Sequence, residues 1–128
     1  MSTQTQTATF LIFEADPVVR MDIQEMLLRS YKGWTVVIVG ALEDLSQALE
    51  ATRGPRIIIV STDPDSFRPL VPMVKQAEIA GAVLITERPT ENATFPELPL
   101  RVVSKPFKSA QLLDAVRSAL EHLRSSPS

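Results

Sequence analysis

The chain has 128 residues, 45% of them hydrophobic and 22% charged, with a formal net charge of −2 at pH 7. That suits one domain with one proper core, and the scattered basic residues exclude a nucleic-acid or anionic-membrane footprint. There are no cysteines, which excludes disulfides, thiolate metal sites and a cysteine nucleophile. No apolar run approaches the roughly 20 residues that cross a bilayer.

The polar, uncharged start MSTQTQTAT does not read as a signal peptide. Residues 1–8 and 125–128 read as flexible tails, leaving one domain over 9–124, expected in the cytoplasm. Thr9 to Phe13 is a short apolar strand. Asp16 and Pro17 then open a helix as cap and first residue. Val19, Ile23, Met26 and Leu27 recur at helical spacing, and Gly33 supplies a stop. Trp34 to Val39 is strand-like and ends at Gly40. The stretch ALEDLSQALEATRG is a second helix with acids in its first turn, closed by Gly54 and Pro55.

Arg56 to Val60, RIIIV, reads as a strand buried on both faces. Pro69 and Pro72 crowd the start of a third helix, whose regular part is expected near Pro72 to Ala80 with Gly81 as its stop. Ala82 to Ile85 and Leu100 to Val103 are the last two strands. Between Thr86 and Leu100, Pro89, Pro96 and Pro99 predict a loop or at most one helical turn. A final amphipathic helix carries Leu112, Val116, Leu120 and Leu123 along one side. Strands alternating with helices predict a doubly wound α/β fold: a three-layer sandwich around a five-stranded parallel sheet.

In such a sheet the carboxyl ends of the strands gather at one edge, where open α/β proteins place their chemistry. The residues that collect there are Glu14 and Asp16, then Ser61, Thr62, Asp63 and Asp65, then Thr86, then Lys105 with Pro106 and Phe107. All four glycines end helices or strands, and FEADPVV has neither a dinucleotide fingerprint nor a Walker loop, so nucleotide binding is not expected. His122, the single histidine, lies late in the last helix, far in sequence from every strand end. It suits a solvated position favourable to the helix C-terminus.

Three stretches resemble a known family. FLIFEADPVVRMDIQEML, VLIT and VVSKPFKSAQLLDAV look like the first strand, acidic turn and first helix, the fourth strand, and the lysine-proline strand end and last helix of the receiver domains of bacterial two-component response regulators. The resemblance covers about residues 9 to 124 and implies the strand order 2-1-3-4-5. In that family two adjacent acids after strand one help hold Mg²⁺, and an aspartate ending strand three accepts the phosphoryl group. A Thr or Ser and a Lys contact its oxygens. Magnesium wants carboxylate and water oxygens, and a lysine belongs where negative charge collects.

The match is incomplete at the residues that do the chemistry. Thr86 and Lys105 fit the phosphate-contacting positions. Glu14 fits the first acid, but Ala15 stands at the second and offers a metal no oxygen. Ser61 stands at the nucleophile's place, where a hydroxyl would need a general base. The aromatic switch position of strand five is Val102, and the helix after strand four is short or missing.

The chain is therefore expected to be a degenerate receiver, or pseudo-receiver, without enzymatic activity. It would act in signalling by protein–protein contact through the Thr86–Leu100 loop and the helix Ser109–Arg124, with a homodimer through that helix left open. No cofactor is expected, beyond weak Mg²⁺ binding by Glu14, Asp16 and Asp63. Asp63 as a displaced phosphoacceptor with Mg²⁺ is the alternative, against turn or cap roles for Asp63 and Asp65. A third reading is a small-ligand site in the vacated pocket near Ala15, Ser61 and Lys105. A salt bridge from Lys105 to Glu14 or Asp63 would instead leave that pocket neutral.

Overall fold

The computed structural model describes residues 8–87, 98 and 100–125, with side chains through residue 120. Its elements in order are β1 (Thr9–Phe13), α1 (Pro17–Ser30), β2 (Thr35–Ile38), α2 (Leu45–Ala51), β3 (Arg56–Ser61), α3 (Pro64–Phe67), α4 (Val71–Gln76), β4 (Gly81–Thr86), β5 (Leu100–Ser104) and α5 (Ser109–Ser125). The strands form one sheet in the order β2-β1-β3-β4-β5, and every neighbouring pair is parallel. The five strands predicted from sequence are all present.

Alternation along the central strands builds two cores. Phe10, Ile12, Ile57, Ile59, Val83 and Ile85 pack under α1 and α5, while Leu11, Ile58, Val60 and Leu84 pack under α2, α3 and α4. Successive side chains of a strand point to opposite faces, so a continuous apolar run such as Ile57–Val60 serves both layers. The segment Ala8, assigned by sequence to the leading tail, belongs to the first core and is 5% exposed.

Local signals set α1 as expected. The Asp16 carboxylate accepts from the backbone N–H groups of Val18 (2.9 Å) and Val19 (3.4 Å), and Pro17 takes a first-turn position. After α1, Gly33 takes a positive φ of 87° that a residue with a Cβ adopts less readily.

The third helical region departs from expectation. Helix begins earlier, at Pro64, with Asp63 as its cap, passes through a 3-10 turn at Arg68–Leu70, and ends at Gln76. Pro69 and Pro72 lack the N–H that a continuous helix would use, which accounts for the short pieces. The stop is also different. Glu78 makes the turn with φ 55°, and Gly81 is the first residue of β4. Gly81 is small because α5 lies against it: a Cβ there would sit 2.6 Å from Ala119 Cβ.

At the amino end of the sheet, Arg56 ties two helix ends together. Its guanidinium donates to the carbonyls of Leu49 in the last turn of α2 and of Thr52 just after it, and to that of Ala77 just after α4. These are orphan carbonyls of helix C-termini, which a cation satisfies well. The loop expected between Thr86 and Leu100 falls on residues of which only Glu87 and Leu98 are described; Leu98 is buried in the second core. No helix among the described residues is long and apolar enough to cross a membrane.

Candidate functional site

The carboxyl edge of the sheet forms a cleft of about 670 Å³, whose lining includes Glu14, Ala15, Ser61, Asp63, Thr86 and Lys105. Pro106 and Phe107 line a second pocket beside α1, and all the other strand-end residues picked out by sequence share this place. Sheet register brings them there: Ser61 pairs with Ile85 across β3–β4, and Thr86 pairs with Ser104 across β4–β5. Beyond the strands, Thr62 N–H donates to the Ile85 carbonyl at 3.0 Å and Lys105 N–H to the Thr86 carbonyl at 2.9 Å. Thr86 is 3% exposed.

Glu14 is the centre of the cleft. It is only 3% exposed, yet it sits among donors. Lys105 Nζ lies 2.9 Å from its Oε1, and the Asp16 N–H donates to its Oε2 at 3.0 Å. Burial alone would raise the Glu14 pKa; the Asp16 amide, Lys105 and the Ser61 hydroxyl outweigh burial and hold it below its ordinary value. Glu14 is thus an ionised carboxylate with Lys105 as its counter-ion. Of the two bridges the sequence allowed for Lys105, the one to Glu14 forms.

The other acids are occupied differently. Asp16 caps α1. Asp63 caps α3: its carboxylate accepts from the Ser66 N–H at 2.9 Å and from the Ser66 hydroxyl at 2.7 Å. Those two bonds lower the Asp63 pKa. Among the described residues, no group of three or more His, Asp or Glu side chains is arranged to hold a metal ion. Ala15 contributes only a methyl group to the cleft, and a magnesium ion would need oxygens at that point. A cleft with Lys105 already neutralised, and with Asp63, Asp65 and Glu87 on its wall, has little to attract an anionic ligand.

Val102, which the resemblance aligns with the family's aromatic switch, is 37% exposed on β5. α5 spends its apolar residues Leu112, Ala115, Val116 and Ala119 on the core, and its side chains beyond residue 120, including His122, are outside the described set. Two features escaped the sequence reading. The Ser61 hydroxyl helps lower the Glu14 pKa, an influence between strand ends that sequence distance hides. Val18, Met21 and Leu28 on α1 are exposed, although their spacing could have revealed a second apolar stripe beside the buried one.

No protein-family model and no curated protein matches the sequence. Solved structures match the fold. The response regulator PhyR from Brucella abortus is 25% identical with a TM-score of 0.71, over 94% of this chain and 51% of that one. The signal receiver domain of an HD domain-containing protein from Pseudomonas fluorescens is 21% identical with a TM-score of 0.70, over 94% of this chain and 100% of that one. A de novo designed Rossmann 2x3 fold protein also matches, at 16% identity and a TM-score of 0.60, over 91% of this chain and 90% of that one. The fold is that of response regulator receivers, and a fold by itself does not fix an activity.

Proposed function

We propose that this chain is a pseudo-receiver: a receiver-fold binding module that serves a signalling pathway by protein–protein contact, without phosphorylation of an aspartate and without catalysis of its own. The observation that carries this reading is the Glu14–Lys105 ion pair at 2.9 Å beside Ser61. In a phosphoacceptor site the lysine must be available to a phosphoryl oxygen and a carboxylate must stand at the end of β3. Here the lysine is engaged by a buried carboxylate, and the residue at the end of β3 is a serine whose hydroxyl helps keep that carboxylate ionised.

Asp63 is poorly placed to take over. It lies two residues past Ser61, about 6–7 Å further along an extended chain, and both carboxylate oxygens serve the α3 cap. Cofactor independence follows from the same reading, and a cytoplasmic location agrees with it.

The test is treatment with acetyl phosphate and Mg²⁺, followed by intact-mass spectrometry. No adduct is expected, and beryllofluoride should leave the amide resonances of Ser61, Thr86 and Lys105 unmoved. A hydroxylamine-sensitive adduct that disappears in Asp63→Asn would overturn the proposal and establish the displaced acceptor.

A further inference from the structure

An edge strand leaves a row of backbone N–H and C=O groups without a neighbour, and proteins guard such edges with charge, proline, bulges or covering segments. This sheet ends on β2 and β5. β5 carries the exposed Arg101. β2 is Thr-Val-Val-Ile, without a charge or a proline, and it runs in regular register with β1 on its inner side. The Val39 N–H donates to the Ile12 carbonyl at 2.8 Å. By the alternation of a parallel ladder, Thr35, Val37 and Val39 then turn their backbone groups inward, and Val36 and Ile38 turn theirs outward. Among the described residues nothing bonds to those outward groups, and the Ile38 side chain is 37% exposed.

A second copy of β2 fits this edge in one register. Antiparallel pairing about a twofold axis keeps each face of the sheet continuous only where residues of the same face lie opposite one another; a one-residue slip would set the two layers at odds. Val36 packs with the core under α1 and α5, and Val37 with the core under α2, α3 and α4. With Val36 on the axis, Trp34 would have to donate to Ile38, but its N–H is already given to the Tyr31 carbonyl at 3.2 Å. With Val37 on the axis, Val36 lies opposite Ile38 of the second copy. Both residues bring outward N–H and C=O groups, and their apolar side chains meet on one face.

Charge favours the same arrangement. At the amino end of this side of the sheet stand exposed Arg29, Lys32 and Arg53, against one acid, Glu50. At the carboxyl end stand exposed Asp16, Glu43 and Asp44, against one cation, Arg20, which donates to the Glu14 carbonyl. The ion pairs among the described residues involve none of these groups. An antiparallel second copy sets each basic end beside an acidic one, whereas a parallel copy would set like ends together.

We infer that the outer edge of β2 is a self-association surface: two copies pair antiparallel through β2, with Val37 at the twofold axis, and join their sheets into one. The inference goes beyond the binding-module reading and does not depend on the cleft.

Sedimentation equilibrium of the full chain at high micromolar concentration should show a dimer. Ile38→Lys puts a charge on the edge and should raise the dissociation constant at least tenfold, with circular dichroism unchanged because Ile38 is partly exposed. Lys32→Glu and Glu43→Lys should each weaken the dimer, and their combination should restore it. The chain has no cysteine, so cross-linking can be placed at will. Val37→Cys should give a disulfide-linked dimer on mild oxidation, because facing residues of a non-hydrogen-bonded antiparallel pair are close enough to bridge. Ala110→Cys, on exposed α5, should not.

A monomer at that concentration, a dimer indifferent to Ile38→Lys, or cross-linking through Ala110→Cys in place of Val37→Cys would overturn the inference. So would dimerisation that appears only after residues 1–7 are removed, which would give the edge to the chain's own leading segment. Labelling of Asp63 by acetyl phosphate bears on the binding-module reading alone, so the two can fail separately.

Discussion

Lys105 reaches across the carboxyl ends of β4 and β3 to place its ammonium 2.9 Å from the carboxylate of Glu14. β1 and β5 are three places apart in the sheet, about 14 Å at the usual strand spacing. Only long side chains could meet over that distance, and they do so above Ser61. The pair gives the cleft its electrostatic balance and leaves a carboxylate that burial would otherwise disfavour in its charged form.

Removing one partner therefore exposes the balance. Glu14→Gln should lower stability at pH 7 by about 1–3 kcal/mol in urea unfolding, less than for a fully dry pair because Lys105 can turn towards water. The sign of the pH dependence follows from the lowered folded pKa of Glu14. Its contribution is present above the unfolded value near 4.5 and is lost as pH falls through the folded value. The gap between wild type and Glu14→Gln should thus be full at pH 6–7 and shrink below pH 4.5. Asp63 titrates in the same direction in both proteins and cancels from the difference.

Asp63 separates a structural role from a chemical one. Asn caps a helix as well as Asp, and Ala does not. Thermal unfolding should therefore find Asp63→Asn close to wild type and Asp63→Ala lower. If Asp63 were a phosphoacceptor, Asp63→Asn would be the damaging change for labelling, so the two variants report on different roles.

The missing chemistry can be put back. The double variant Ala15→Asp, Ser61→Asp supplies the second acid after β1 and a carboxylate at the end of β3. Without metal it should be less stable than wild type, because three carboxylates crowd one cleft. Millimolar Mg²⁺ should then raise its Tm, since an ion that binds the folded state stabilises it, while leaving wild type unmoved. Stabilisation of wild type by the same Mg²⁺ would count against its reading as a module without a metal.

Gly81 is fixed by packing. An added Cβ would lie 2.6 Å from Ala119 Cβ and 3.3 Å from Ile57 Cδ1. Gly81→Ala should destabilise by about 1–3 kcal/mol through overpacking. Adding Ala119→Gly should recover part of that loss, and a double-mutant cycle measured by urea unfolding would give the coupling.

Much of this molecule is written locally. Asp16 and Pro17 open α1, the alternating and continuous apolar runs mark the strands, and Thr86 and Lys105 announce a carboxyl-edge cleft. The third helical region was less legible because Asp63 and Pro64 form a helix start whose cap is only four residues from another proline-broken piece. Gly81 was misread for a similar reason. As a sequence signal it looks like a helix stop, but its cause is Ala119, which is 38 residues away along the chain.

By itself the sequence determined the strand count, the layer architecture and the absence of an aspartate at Ser61 and of a second acid at Ala15. Those are properties of residue type and short-range spacing. Tertiary structure decided which acid takes Lys105, that Asp63 serves a cap, that α5 turns its described apolar residues Leu112, Val116 and Ala119 inward and that α1 keeps Val18, Met21 and Leu28 outside. Each of these is a choice among competing partners, and it is settled only when the parallel sheet brings distant strand ends and helix faces within a few ångströms of one another.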